Sequence, residues 1–169
     1  LGMDSVTYRP ERYPSLGSQA AEISQGDTVI GRAGALHPLV REAFGLPRDA
    51  VLVAEIDLGP LVAAFRQPLQ WQPISAFPPI VEDLALVVDA KLLAGDVEAV
   101  LRSAGAPLLR HVELFDVYEG EGVPPGKKSL AFHLTFQSME RTLKDKDSAK
   151  LRQKLLRQLK KRLGAELRA

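Results

Sequence analysis

The stretch that decides the fold lies at residues 112–143 and reads VELFDVYEGEGVPPGKKSLAFHLTFQSMERTL. Apolar and small or polar residues alternate strictly in its second half, over residues 129–136. The apolar set is Leu130, Phe132, Leu134 and Phe136, and the other set is Ser129, Ala131, His133 and Thr135. A period of two predicts a strand with one buried face. The small and polar face suits a sheet surface that stays open to a ligand.

A second strand-like run, residues 112–118, precedes this one, and the two predict a β-hairpin. The loop between them contains Gly120, Gly122, Pro124, Pro125 and Gly126, so it is longer than a two-residue turn. Two lysines, Lys127 and Lys128, place positive charge where the second strand begins.

The elements predicted around this hairpin give an α+β fold. A strand from about residue 81 is followed by a helix with Asp96 as its predicted N-cap and an end at Gly105. After the hairpin, a leucine-striped helix starts near Asp145 or Asp147 and ends at Gly164, and residues 166–168 begin a fourth strand. The order βαββαβ is that of a ferredoxin-like antiparallel sheet with both helices on one face.

The N-terminal part is predicted in less detail. Residues 1–19 look irregular, because prolines and glycines interrupt them. The expected elements that follow are a hairpin over residues 20–33, a helix from Pro38 to Gly45, a strand over 50–57 and a short helix over 58–65. Four prolines within residues 67–79 then predict an extended linker, with Trp71 and Phe77 packed onto a neighbouring part.

Composition narrows the class of protein. A hydrophobic share of 46% and a charged share of 25% are typical of globular domains. The absence of cysteine excludes disulfides, thiolate zinc sites and a cysteine nucleophile. No apolar run approaches the length of a membrane span, and a cytoplasmic location fits. Because the chain begins Leu1-Gly2-Met3, we expect it to be a piece of a longer protein.

Charge is distributed unevenly along the chain. Residues 141–169 hold 11 Lys and Arg against 3 Asp and Glu, a possible polyanion footprint or an ordinary solvated helix face. At 100° per residue, five cations fall opposite the leucine stripe: Lys146, Lys150, Lys154, Arg157 and Lys161. They should therefore point away from the open sheet face, and we do not count them among the site residues.

Several strings resemble one family. VELFDVYEGEG, PPGKKSLAFHLTFQS and RTLKDKD resemble the C-terminal, ferredoxin-fold anticodon-binding domain of the bacterial phenylalanyl-tRNA synthetase beta subunit. GRAGALHPLVREAFGL and VLVAEIDLGPL resemble the catalytic-like module of the same subunit, a class II synthetase-like α/β module that in the family lacks the catalytic residues. The resemblance implies the end of that module at 1–66, a linker at 67–79 and the anticodon-binding domain at 80–169.

The resemblance also implies site residues. The tyrosine at the position of Tyr118 stacks on the first anticodon base in that family, and the serine at the position of Ser129 lies close to the same base. RNA modules built on four-stranded sheets commonly stack bases on exposed aromatics, which fits Tyr118. The other candidate RNA-binding residues are Ala131, His133, Lys127, Lys128 and Arg141, although Arg141 could instead pair with an acidic residue.

Other residues are assigned to structure. We expect Phe115, Phe132 and Phe136 to lie in the core. The carboxylates of Asp83, Asp116, Glu119 and Glu121 match no metal-ligand spacing and are expected to be solvated. Glu82 stands where the family would have a basic residue, which weakens any phosphate contact at the first strand.

As the resemblance implies, the whole enzyme is an α2β2 tetramer that charges phenylalanine tRNA using ATP and Mg²⁺, with its active site on the alpha subunit. This chain would bind tRNA, have no catalytic residue or cofactor of its own, and bind neither membrane nor DNA. Two alternatives remain: a ferredoxin-like regulatory module that binds an amino acid at a dimer interface, and a purely structural assembly domain. The lone Gly95 gives the first little support.

Overall fold

The structure is a computed structural model that describes residues 6–65 and 74–168. The chain divides into two compact units, Leu1–Gln72 and Pro73–Ala169. The predicted packing of Trp71 lies outside the described residues. Within the described ranges, no helix is long and apolar enough to cross a membrane.

The first unit contains a four-stranded antiparallel sheet with the strand order β1-β2-β3-β4. Its elements are β1 (Val6–Pro10), β2 (Leu16–Gln25), β3 (Thr28–Leu36), α1 (Pro38–Ala43), β4 (Leu52–Ile56) and α2 (Leu58–Phe65). The predicted hairpin, strand and both helices are confirmed, and Gly45 follows α1 with a positive φ of 61°.

The expectation of irregular structure over residues 1–19 is wrong for part of that range. Val6–Pro10 pairs with β2, from Val6 opposite Gln25 to Pro10 opposite Ala21. The proline is compatible with this strand because it occupies the last position of an edge strand, where no ladder hydrogen bond from its nitrogen is needed.

The second unit has the predicted ferredoxin-like topology. Its elements are β5 (Ile80–Asp89), α3 (Ala94–Gly105), β6 (Leu109–Tyr118), β7 (Lys127–Phe136), α4 (Asp145–Leu163) and β8 (Glu166–Leu167). The strand order is β6-β7-β5-β8, and every pair is antiparallel. The two central strands, β5 and β7, pair without interruption from Ile80 opposite Phe136 to Asp89 opposite Lys127.

Both helices cover one face of this sheet and form a single apolar core with it. Phe132 and Phe136 are fully buried, as predicted, together with Leu155 and Leu159 of α4. Helix α4 ends at Gly164, whose left-handed φ of 64° terminates the helix as predicted. The charged side of α4 is exposed, in agreement with the helical periodicity.

One predicted helix start is wrong. Helix α3 begins at Ala94 with Leu93 as its N-cap, so Asp96 lies inside the first turn. A carboxylate at that position still interacts favourably with the positive end of the helix dipole. The predicted start of α4 at Asp145 is confirmed, and the Asp147 carboxylate accepts a hydrogen bond from the N–H of Lys144, the N-cap residue.

The segment before β5 is held against the end of β7. The hydroxyl of Ser75 donates to the carbonyl oxygen of Ser138 at 2.7 Å, and the side-chain amide of Gln137 donates to the carbonyl oxygen of Phe77 at 2.7 Å. Residues 75–77, near the start of the second unit, are therefore hydrogen-bonded to the segment that follows β7.

Candidate nucleic-acid interface

The second sheet has one face turned away from α3 and α4, which we call the open face. Directly paired residues of neighbouring strands share a face, so the register assigns its side chains. They are His111, Glu113, Phe115, Asp116 and Tyr118 of β6, Lys127, Ser129, Ala131, His133 and Thr135 of β7, Val81, Asp83, Ala85, Val87 and Asp89 of β5, and Glu166 and Arg168 at β8.

Tyr118 stands at the end of β6 with 37% of its surface exposed. The guanidinium carbon of Arg168 lies 5.0 Å from the centroid of the tyrosine ring, within the range of a cation–π contact. The phenol end of the ring lies against Gly120, because a Cβ built on that glycine would come within 2.9 Å of the Tyr118 hydroxyl oxygen. The ring is therefore held from two sides.

Ser129 is the direct neighbour of both Tyr118 and Val87. Its predicted face is correct, but its predicted accessibility is wrong, since only 2% of the residue is exposed. Arg168 and Tyr118 belong to opposite edges of the sheet, and their contact passes over β5 and β7 on the open face. Ser129 is buried beneath that contact, a long-range effect that alternation along one strand does not reveal.

Ala131 lies further along the open face, between Ala85 and Asp116. It is half-buried. The small side chains of Ala85 and Ala131 leave a shallow depression in the open face between larger neighbouring side chains, in agreement with the predicted open surface.

His133 stacks on an aromatic residue that sequence reasoning assigned to the core. The rings of Phe115 and His133 are 3.9 Å apart between centroids and inclined by 13°. The core prediction for Phe115 is wrong, because 47% of it is exposed. Leu114 pairs with Phe132 and Asp116 pairs with Ala131, so Phe115 is the extra residue of a β-bulge.

The bulge explains why two β6 residues of the same parity lie on opposite faces of the sheet. Val112 faces the core and Tyr118 faces the open side, although the two are an even number of residues apart. A regular strand places such residues on the same face, so one extra residue must lie between them.

Asp83 is exposed, as predicted, but it is not merely solvated. Its Oδ1 lies 2.6 Å from Nδ1 of His133. An ionised carboxylate only accepts hydrogen bonds, so Nδ1 donates, and a neutral imidazole then has Nε2 as an acceptor.

The two adjacent lysines lie on opposite sides of the sheet. Lys127 pairs with Asp89 and shares the open face with Ser129, two residues further along β7. Lys128 pairs with Val88, which is 1% exposed and belongs to the core side. The structure therefore places only Lys127 of this pair on the face of Tyr118.

Arg141 makes the acidic pairing that was its alternative assignment. Its guanidinium donates to both carboxylate oxygens of Asp147, at 2.7 and 3.0 Å. These hydrogen bonds, with a further one from the N–H of Lys144, hold the pKa of Asp147 well below its usual range. The same contact raises the pKa of Arg141. The pair joins the segment after β7 to the first turn of α4.

A further residue of the open face was not selected from the sequence. Arg168 follows β8, and its N–H donates to the carbonyl oxygen of Ala85. The predicted fourth strand over residues 166–168 is confirmed as β8 at Glu166–Leu167. Extending its alternation from Glu166 would have placed Arg168 on the face of Tyr118.

A metal site is not evident in the described parts of the chain. Over residues 6–65 and 74–168, no group of three or more His, Asp or Glu side chains could hold a metal ion. The first unit has an open depression of about 630 Å³ whose lining residues include no titratable side chain. They are Pro10, Ser18, Gln19, Ala20, Ala21, Ala33, Gly34, Leu52, Val53 and Ala54.

Both parts of the chain match known protein families. Residues 75–168 match the family described as "Ferredoxin-fold anticodon binding domain". The chain belongs to this family. Residues 1–58 match a second family, described as "Phenylalanyl tRNA synthetase beta chain CLM domain". The first match covers Tyr118, His133 and the residues described around them, which include Asp83, Ala85, Glu113, Phe115, Gly120, Ser129, Ala131 and Arg168.

Curated relatives agree with both matches. A phenylalanine–tRNA ligase beta subunit from Geobacillus kaustophilus is 40% identical over 164 residues, 96% of this chain and 20% of the relative. One from Symbiobacterium thermophilum is 40% identical over 171 residues, 100% of this chain and 19% of the relative. One from Shewanella oneidensis is 43% identical over 150 residues, 89% of this chain and 18% of the relative. The chain spans about a fifth of the length of these relatives.

Proposed function

We propose that the second unit binds the anticodon loop of phenylalanine tRNA on its open face, with Tyr118 as the stacking residue. The observation that carries this proposal is the ring of Tyr118, a residue that is 37% exposed, held between Arg168 and Gly120 on the sheet face turned away from α3 and α4. Sheets of this kind recognise unpaired bases by stacking. A stacked base contributes roughly 1–3 kcal/mol of binding free energy, as judged by alanine substitution.

Both cations of the open face lie at its Tyr118 end. Arg168 and Lys127 can neutralise phosphates there, although the carboxylates of Asp89 and Glu166 lie at the same end. Towards the other end the charged side chains are the carboxylates Asp83, Glu113 and Asp116, which would repel phosphates. Because Ser129 is covered, we assign it to support of the Tyr118 ring, and a contact with the base requires Arg168 to move. Arg141 is assigned to the Asp147 pair and not to RNA.

We infer further that the chain is part of a cytoplasmic phenylalanine–tRNA ligase, in which it forms a piece of the beta subunit of an α2β2 tetramer. We divide it into the end of the catalytic-like module at 1–66, a linker at 67–79 and the anticodon-binding domain at 80–169. The whole enzyme would charge tRNA in an ATP- and Mg²⁺-dependent reaction on the alpha subunit. The described part of this chain offers no metal-ligand group, and we assign no step through ATP or Mg²⁺ to it. Its contribution is binding energy that helps to position the acceptor end of the tRNA.

The test is fluorescence anisotropy with a labelled RNA hairpin that carries the anticodon stem-loop of phenylalanine tRNA. We expect Tyr118→Ala to weaken binding about 5- to 150-fold, the equivalent of one stacked base. Tyr118→Phe keeps the ring and should bind nearly as well as the unmodified chain. Circular dichroism checks that each variant is folded. Equal affinity for Tyr118→Ala and the unmodified chain would remove Tyr118 from the site, and failure of the unmodified chain to bind would overturn the proposal.

A further inference from the structure

The open face has a second aromatic feature that stacking on Tyr118 does not use. Phe115 and His133 stack on each other, yet 47% of Phe115 and 41% of the His133 side chain remain exposed. A phenylalanine on a bulge, turned away from the core, loses the stabilisation that burial would give it. The mutual stack covers one face of each ring.

This feature is too far from Tyr118 to act on the same base. Tyr118 pairs with Ser129, and His133 lies four residues further along β7. Four residues of an antiparallel strand span about 14 Å. A base stacked on Tyr118 therefore cannot also stack on Phe115 or His133.

The surroundings favour a base over a phosphate as the group bound there. His133 has a carboxylate on either side, since its direct neighbours are Asp83 on β5 and Glu113 on β6. Negative charges repel a phosphate, whereas carboxylates and an imidazole Nε2 accept hydrogen bonds from the amino group of a base. Asp83 fixes the orientation of the imidazole through the 2.6 Å contact with Nδ1. Because β6 is an edge strand, the described part of the chain places no strand of this sheet beyond Phe115.

We propose that Phe115 and His133 form a second stacking subsite, which takes a second unpaired nucleobase of the same RNA that is bound at Tyr118. A base that carries an amino group is the preferred occupant. Asp83 is a positioning residue that acts through His133. The proposal rests on the proposed function, since it requires a single-stranded RNA segment on the open face.

The experiment combines protein variants with RNA variants. Phe115→Leu removes the ring and keeps an apolar side chain, and His133→Ala removes the other ring from a different strand. Val117→Ala is the matched control: Val117 is 52% exposed on the same strand but pairs with the buried Leu130, so its side chain is on the helix side. Each variant is titrated with the intact hairpin and with hairpins that lack one loop base at a time.

We expect Phe115→Leu and His133→Ala each to weaken binding of the intact hairpin by about 5-fold or more, and Val117→Ala to have little effect. The loss should vanish for one abasic hairpin, since the missing base is then the one that stacks there. That position should differ from the position at which the Tyr118→Ala loss vanishes. The salt dependence of binding should be unchanged, because no phosphate contact is removed.

The second subsite is wrong if both variants bind like Val117→Ala while Tyr118→Ala still weakens binding. It is also wrong if both aromatic sites couple to the same base. Concentration-dependent self-association that Phe115→Leu abolishes, without loss of RNA affinity, would assign the rings to a second copy of the chain and overturn the subsite. If the unmodified chain does not bind the hairpin, the proposed function and the subsite both fall.

Discussion

Two neighbouring lysines, Lys127 and Lys128, provide a test of the proposal that RNA binds to the open face. They are adjacent in the sequence and both begin β7, but the register places Lys127 on the face of Tyr118 and Lys128 on the helix side. Replacing either by glutamine removes one positive charge and changes the net charge of the chain equally. A different effect of the two substitutions therefore reports the direction of the side chain and not the general field.

The expected magnitude follows from counterion release. Each phosphate of a single strand that a cation neutralises contributes about 0.7 to the slope of log affinity against log salt concentration. If Lys127 neutralises one phosphate, Lys127→Gln should reduce the slope by about 0.7. The affinity advantage of the unmodified chain should then be about 2.6-fold larger at about 50 mM salt than at about 200 mM salt, and Lys128→Gln should leave the slope unchanged.

The assay is fluorescence anisotropy with the anticodon hairpin over a series of salt concentrations, for the unmodified chain and the two variants. The assignment of the open face is refuted if Lys128→Gln lowers the slope and Lys127→Gln does not. Equal reductions for both would mean that the two charges act through the general field. Thermal unfolding of both variants checks that β7 is intact.

Two further predictions concern the neighbourhood of these strands. Gly120→Ala should weaken hairpin binding more than Gly122→Ala. Both glycines have positive φ, but only a Cβ at Gly120 would meet the ring of Tyr118. Similar losses of affinity for the two variants, measured by fluorescence anisotropy, would contradict this reasoning. The folded-state pKa of Asp147 is lowered by Arg141, so its carboxylate contributes stability above about pH 4 that is lost as the pH falls towards the folded-state pKa. Urea unfolding should show the advantage over Asp147→Asn shrinking below about pH 4, and an advantage independent of pH would disprove the linkage.

The sequence is sufficient to predict the core of the second unit, because burial repeats with the period of each element. Alternation identifies Phe132 and Phe136 as buried, and the leucine stripe orients α4 correctly. The exit of α4 is equally well marked, since Gly164 supplies a left-handed residue where the helix ends. The alternation, the leucine stripe and the terminal glycine are local features of the sequence, so none of them depends on which strands become neighbours.

The misassigned residues depend on partners that are distant in the sequence. Phe115 leaves the core because of one extra residue in β6, and a period-two reading cannot pass through a bulge without error. Ser129 is buried because Arg168, 39 positions later, reaches over it to Tyr118. In a strand without a bulge, the face that a residue occupies can be read from its own strand, whereas its exposure depends on long side chains from other strands.

The charge pattern of the open face constrains how an RNA strand can lie on it. Of the side chains that the register assigns to this face, Asp83, Asp89, Glu113, Asp116 and Glu166 are acidic, and Lys127 and Arg168 are basic. Such a surface does not attract polyanions by its own charge, whereas the exposed cations of α4 can raise the encounter rate through the general field.

Affinity at the open face must then come mainly from stacking and base-edge hydrogen bonds, and less from phosphate contacts. An RNA that keeps the phosphates of the loop but lacks its bases should therefore bind weakly, although its charge is unchanged.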